Sequence, residues 1–454
     1  MKNTPILVVI WLSLISGWST AVVAADGDLS NQAASNQASG STLEQFFTAA
    51  INYSPRLRIA EESLNIGSAR KRAATGQLLP QVRANASVSD NRRNAQNLTE
   101  NFDGQRYSIQ LTQVLFNWQA FAARKEASLR EDQMEAEYYG ELALLLTDVA
   151  EKYFNVLQAN DALESIASEL DAVSNQLDQI QSLYDRQLAL ITDLYQAQAS
   201  LAAVQAQQLQ LQTELALTRE ALRSVSGVES GELYRLREDA QIPPLENSIT
   251  YWVKQAEENN HQIQAREYAV QAADKRIDAR RGAYMPQVSF IVQRQDSNVG
   301  FDNISQLRTD NTYIGLDFSM PLYAGGSNRA AVSEANSQHR IAESELRQVQ
   351  LEASERVRSA YLQVQSAETL IEAANKLLES TVLSSTAMQQ GFELGAVTSV
   401  DVLNALRDQF RAERDLQRTR YEQVKFLLLL KREAGVLSAD DMLEVGTWLE
   451  APPR

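Results

Sequence analysis

The sequence predicts a mainly α-helical chain that also carries a membrane β-barrel part. Three observations point there: an internal repeat, apolar seams of coiled-coil spacing that run far longer than a compact domain requires, and four short segments of polar/apolar alternation.

The N-terminus reads MKNTPILVVIWLSLISGWSTAVVAADG. One Lys, an apolar run from Ile6 and a small-residue exit that permits cleavage after Ala24 or Ala25 make residues 1–25 an expected export signal. An uncleaved anchor is the alternative, because the run is nearly long enough to span a bilayer. No Cys stands at the cleavage site to accept a lipid. Residues 26–41 are small and polar and are expected to form a disordered linker.

An internal repeat organises the chain from Thr42 onward. QLLPQV (77–82) returns as AYMPQV (283–288), 206 residues on, and VLFNWQAFAARKEA from Val114 is echoed by PLYAGGSNRAAVSEA from Pro321. RQLALITDLYQAQ from Arg186 returns as ELGAVTSVDVLNA from Glu393, with Asp193 and Asp401 equivalent at an offset of 208. These matches define a first repeat over 42–227 and a second over 248–436, each a helix, two strands and long helices. Residues 228–247 lie between the repeats and 437–454 after them.

Within the first repeat, Leu142, Leu146, Val149, Tyr153, Val156, Asn160 and Leu163 begin a seam stepping by three and four that continues to Ile180 and Tyr184. A second seam runs from Leu194 through Leu201, Leu211 and Leu222 to Val225. Started near Trp118, the first stretch covers about 70 residues, a rod of about 105 Å at 1.5 Å per residue.

The strands show period two. Val82, Ala84, Ala86 and Val88 alternate with Arg83, Asn85, Ser87 and Ser89, and Tyr107, Ile109 and Leu111 with Ser108, Gln110 and Thr112. In the second repeat Val288, Phe290 and Val292 form one run, and Ile314, Leu316, Phe318 and Met320 alternate with Gly315, Asp317 and Ser319. About ten residues suits a tilted membrane strand. The polar segments NRRNAQNLTENFDGQ and DSNVGFDNISQLRTD are expected to be exposed loops. Alternation alone is also compatible with two soluble hairpins packed on a helical bundle. In a membrane, four strands cannot close, an open edge is not viable and spanning barrels start at about eight strands, so the barrel must be shared between chains. Two chains would give an eight-stranded barrel filled by side chains, whereas three would give about twelve strands and a lumen. A passage favours the homotrimer.

Composition excludes other classes. The chain carries a formal charge of −16 with no Cys, two His and 7% aromatic residues, which suits neither a nucleic-acid binder nor a disulfide-stapled domain. His261 and His339 sit apart in polar helical patterns and suggest no metal site. Gly325 and Gly326 are followed by no Lys-Ser/Thr and mark a strand-to-helix junction rather than a phosphate loop. No set of nucleophile, base and orienting group can be assembled, so neither an enzyme nor a cofactor is expected.

The two halves, the LPQV and MPQV strand entries, the PLYAGGS strand exit and the GAVTSVDVLNA restart resemble the TolC family of outer-membrane efflux and secretion channels, over nearly everything from Thr42 to Val436. The resemblance implies a trimer with a twelve-stranded barrel in the outer membrane and an α-helical tunnel across the periplasm, belted by segments 228–247 and 437–454. It implies a periplasmic tip, closed at rest, that opens when an adaptor protein and an inner-membrane pump of RND or ABC type dock. The tip turns, with Gln187, Ala189, Gly395, Ala396 and Thr398, would meet the adaptor.

At the restart itself, Gly395 can supply a left-handed cap, and Thr398 and Asp401 have the spacing of an N-cap and its third helical residue. On a three-fold axis Asp401 would appear three times, and like charges about 5 Å apart at an effective dielectric of 20 repel by about 3 kcal/mol per pair. The resemblance places the gate here and also marks departures. Its second constriction carboxylate is Asn404 in this chain, and Asp193 keeps an acceptor whose Arg and Tyr donors are replaced by Val397 and Phe392. Where its first-half turn often has a glycine, this chain has Gln187. The expected function is therefore a passive outer-membrane exit duct of a tripartite efflux pump or type I secretion system. A non-channel coiled-coil protein of the cell envelope is the alternative, and it leaves the four alternating strands unexplained.

Overall fold

The computed structural model describes residues 41–451 except 96–97, 238, 241 and 301–303. The expected signal and all but Ser41 of the expected linker lie outside the described residues, as does Asn97 in the first expected loop.

Each half opens with two helices in tandem. In the first they are α1 (Leu43–Tyr53) and α2 (Pro55–Gly76), followed by strands β1 (Gln81–Ala95) and β2 (Leu98–Asn117) and helices α3 (Trp118–Asp185) and α4 (Ile191–Ser226). A short strand β3 (Arg235–Leu236) separates this half from α5 (Ile249–Asn259), α6 (His261–Gly282), β4 (Gln287–Val299), β5 (Ser305–Ser319), α7 (Ser327–Glu393) and α8 (Ser399–Glu433). Helix α9 (Ala439–Thr447) and strand β6 (Leu449–Glu450) complete the described chain. Helix α3 has 68 residues and α7 has 67, lengths that only a continuous seam against neighbouring helices can support.

Local signals set the boundaries. Ser54 caps α2 with Pro55 in its first turn, and Asn260 caps α6 from the equivalent place. Pro80 and Pro286 directly precede β1 and β4. Gly325 and Gly326, at φ +59° and +85°, turn the chain from β5 into α7 as the sequence suggests.

The four long strands form one antiparallel sheet in the order β1-β2-β4-β5. The register puts Val82 opposite Leu111, Leu111 opposite Val292, and Val292 opposite Ile314, so one apolar row crosses all four strands. The adjacent row, Arg83, Gln110, Gln293 and Tyr313, lies on the other face. The sheet thus has one apolar and one polar face. Its strands run to 15, 20, 13 and 15 residues, beyond the expected ten, because most of each polar segment assigned to a loop continues the ladder. Backbone pairing holds Asn91–Ala95 to Leu98–Phe102 whatever the side chains, and polarity cannot distinguish a wet strand from a loop.

Apolar packing holds the helices together in three clusters. Phe46, Phe47 and Ala50 of α1 meet Val149, Tyr153 and Phe154 of α3, Leu222 of α4, and Met442, Val445 and Trp448 near the C-terminus. Trp252 and Ala256 of α5 make the equivalent contact with Val357, Ala360 and Val364 of α7 and Leu430 of α8. The third cluster lies toward the turns of the long helices. Segments 228–247 and 437–454 meet in the β3–β6 pair, where Arg235 faces Glu450 and Leu236 faces Leu449.

Candidate functional site: the paired helix turns

The turns α3–α4 and α7–α8 lie together at the helix ends opposite the sheet, lining one crevice of about 660 Å³. Both close their first helix in the same way. Gln187 N–H donates to the Tyr184 carbonyl and Leu188 N–H to Leu183, each at 2.8 Å. Equivalently, Gly395 N–H donates to Phe392 at 3.0 Å and Ala396 N–H to Gly391 at 2.8 Å. This pattern is a Schellman cap, which needs a left-handed residue: Gly395 sits at φ +72° and Gln187 at φ +60°. Gln187 is the only non-glycine with positive φ among the described residues. Its side chain bears a strain that Gly395 avoids.

The restarts differ as well. Thr398 and Asp401 form a reciprocal capping box: Asp401 N–H donates to Thr398 Oγ1 at 3.3 Å, and Thr398 N–H donates to Asp401 Oδ2 at 3.0 Å. The Thr398 hydroxyl also donates to Asp401 Oδ2 at 2.6 Å. These bonds, the side-chain one foremost, hold the Asp401 carboxyl below the usual carboxylate range. In the first turn the N-cap is Leu190, which makes no side-chain cap, and Asp193 accepts no hydrogen bond from the described side chains. One turn is doubly capped and the other is not.

The crevice brings together Asp193, Ala189, Phe392, Gly395, Val397 and Thr398. Asp401 and Asn404 lie outside it, exposed and one helical turn apart on α8, while Gln187 and Ala396 are exposed at the turn surfaces. Phe392 is half-buried against the apolar cluster that includes Ile180 of α3, Leu194 of α4 and Leu403 of α8. Val397 folds back on α7, where a Cβ added to Gly391 would meet its Cγ2 at 3.2 Å. The residues that replace the expected donors therefore make apolar contacts. Gly391 and Leu403 belong to this arrangement without any signal in the sequence, because a helical glycine and a seam leucine look like ordinary helix there. His261, which sits in a polar helical pattern in the sequence, is half-buried with its ring centroid 5.9 Å from that of Tyr139.

A long antiparallel helical assembly crowned by a one-face-apolar sheet defines a class of outer-membrane channel subunits, and comparison with known proteins agrees. The family described as outer membrane efflux protein matches residues 47–228 and 252–435, and the chain belongs to that family. It is 26% identical over 382 residues to the outer membrane protein TolC of Vibrio cholerae, covering 83% of this chain and 86% of the relative. It is likewise 26% identical over 346 residues to the alkaline protease secretion protein AprF of Pseudomonas aeruginosa, covering 75% and 72%. Among solved structures, CusC superposes with a TM-score of 0.76 at 19% identity over 87% of this chain and 92% of that one. The outer membrane protein VceC of Vibrio cholerae gives 0.76 at 18% identity over 87% and 96%.

Proposed function

We propose that three copies of this chain close into one outer-membrane exit duct, a twelve-stranded barrel above a helical tunnel, opened at the paired turns by an adaptor and an inner-membrane pump. The single apolar row from Val82 to Ile314 carries this reading, because it gives the sheet a lipid-facing side along its whole width. With every neighbour antiparallel, β1 and β5 run in opposite directions, so β5 of one copy can extend the same ladder onto β1 of the next. The helices support the same closure. Among the four long helices α4 packs on α3, α3 on α8 and α8 on α7, leaving α4 and α7 at the two edges of that layer. Both carry unpartnered apolar residues: Tyr195, Leu209 and Leu217 on α4, and Leu351, Leu362, Leu370 and Leu377 on α7. A second copy offers each the other's stripe.

In this assembly Asp401 and Asn404 face the axis as one carboxylate and one amide ring, and Val397 and Phe392 close the resting gate by packing. Leu188, Leu190 and Leu394, all exposed, offer the adaptor an apolar tip. Segments 228–247 and 437–454 form a belt. Nothing in the duct's wall selects between small efflux substrates and a secreted protein, so selection falls to the pump. Light scattering of the detergent-purified protein tests the reading: a trimer is expected, and a monomer would remove it. Lysine at Val82 or Ile314 should also abolish membrane insertion, at about 2 to 4 kcal/mol per charge near the bilayer midplane.

A further inference from the structure

The apolar face of the sheet does not stay apolar. Two residues beyond Val292 on β4 stands Arg294, then Asp296; two beyond Ile314 on β5 stands Thr312, then Asp310 and Arg308. Side chains two apart share a face, so these four charges lie on the side that faces lipid in the barrel reading, on which this inference rests. They lie away from the helices. Arg294 is seven residues past Gln287, about 23 Å along the strand, which places the group toward the outer-leaflet end of the apolar band.

Asp296 and Asp310 are directly paired across the strands, an arrangement of like charges that a sheet ordinarily avoids. Each is clamped by the arginine on the opposite strand: Arg294 donates to Asp310 through Nε at 3.2 Å and Nη2 at 2.6 Å, and Arg308 to Asp296 through Nε at 2.8 Å and Nη2 at 3.0 Å. Both guanidinium groups use the same edge, so both Nη1 groups remain without a partner among the described residues. Beside them Ala84 and Ala86 leave a groove of about 410 Å³ along Tyr107, Ile109, Arg294 and Asp296. The carboxylates orient two guanidinium edges next to an apolar groove.

We infer that this patch is a lipid site that takes a phosphorylated glycolipid of the outer leaflet, of the lipid A type. Its phosphates bond to the free Nη1 edges of Arg294 and Arg308, and an acyl chain lies along Ala84 and Ala86. With each charge already balanced by its carboxylate, the match to phosphate is in the hydrogen-bond geometry of the Nη1 edges, and the height of the pair on the strands assigns the outer leaflet.

Delipidated trimer, its stoichiometry first verified by light scattering, is titrated with lipid A, with dephosphorylated lipid A and with phosphatidylglycerol. The readouts are the thermal midpoint and the glycolipids bound per trimer by native mass spectrometry. Lipid A should raise the midpoint and bind, whereas the dephosphorylated form and phosphatidylglycerol should do neither at the same concentration. Arg294→Gln with Arg308→Gln should weaken lipid A binding about tenfold or more, and Arg106→Gln, on the opposite face, should leave it unchanged. Equal effects of the dephosphorylated lipid or of phosphatidylglycerol, or wild-type binding by the double variant, would overturn the site. If the double variant does not assemble, the wild-type comparison of phosphorylated with dephosphorylated lipid decides alone. A monomer at the first step would instead sink the barrel reading.

Discussion

The Tyr421 hydroxyl donates to Asp161 Oδ2 at 2.5 Å, tying α8 to α3 beside the β3–β6 pair. Burial pushes the Asp161 carboxyl above the ordinary carboxylate range and is opposed by the Tyr421 bond and by Arg235 and Arg420, while Glu164 reinforces it. The folded state therefore holds this proton more tightly than the unfolded chain does. The stability it contributes is fully present below the ordinary Asp value of about 3.9 and is lost as pH rises through the raised value. Asp161→Asn should lack that loss, so thermal midpoints should show wild type losing ground to the variant from about pH 4 upward. A constant gap across the window would mean that the carboxyl is not raised. Asp161→Ala should be worse at every pH, because a buried hydroxyl left without its acceptor costs about 1 to 3 kcal/mol.

Closer to the turns, Arg414 and Glu169 form a second tie between the same helices, at 2.7 Å with Glu169 only 2% exposed. Arg414→Met should cost about 3 to 5 kcal/mol, since it strands a buried carboxylate. Adding Glu169→Leu should recover most of that loss, because removing both charges of a buried pair is often close to neutral. Denaturant midpoints of the two single variants and the double variant check this. A double variant no better than Arg414→Met would mean that packing around the pair, and not the stranded charge, sets the cost.

The two turns allow a test with opposite signs. Gln187→Gly relieves a left-handed side chain, worth about 1 to 2 kcal/mol less about 0.5 to 1 of added unfolded-state entropy, so a small local gain is expected. Leu190→Thr should add about 1 kcal/mol by giving Asp193 the capping partner that Asp401 already has. Gly395→Ala should cost about 1 kcal/mol from backbone strain alone, as no atom lies within 4 Å of the added Cβ. Amide exchange at the first turns of α4 and α8 reads these changes directly. Slower exchange in Gly395→Ala would contradict the strain argument.

Much of this architecture is legible in the sequence because its signals are periodic. The seam that ends at Tyr184, with its helix started near Trp118 where the strand pattern stops, places a helix of about 70 residues, and α3 spans 68. The alternation at Val82–Val88 and Ile314–Phe318 identifies the apolar face without reference to any pairing. What stays hidden depends on three dimensions. The strands outrun their alternating segments because Asn91–Ala95 are held by their partners and not by a pattern of their own. Placing a glutamine in the left-handed region requires backbone angles. The apolar contacts of Val397 and Phe392 depend on Gly391 and Leu403, which no local motif distinguishes.

At the proposed gate this chain departs from the pattern that the family resemblance implies, and the departure yields a sharp expectation. Asp401 caps its helix, and in the proposed trimer it would form a single carboxylate ring at the constriction, since Asn404 stands one turn on. Block by multivalent cations should therefore be weak, and largely lost in Asp401→Asn. Thr398→Val should keep that block while loosening the cap, which separates the charge from the structure that presents it. Resting closure should depend on packing. Phe392 is half-buried against the apolar cluster that includes Ile180, Leu194 and Leu403, so Phe392→Ala should forfeit roughly half of the 3 to 5 kcal/mol that a fully buried Phe commands and raise the resting conductance. Asp193→Ala should change it little, because the carboxylate has no donor among the described side chains. Single-channel recording in planar bilayers measures both, and a leak in the Asp193 variant without one in the Phe392 variant would show that the polar lock survives, with a neighbouring copy supplying the donor.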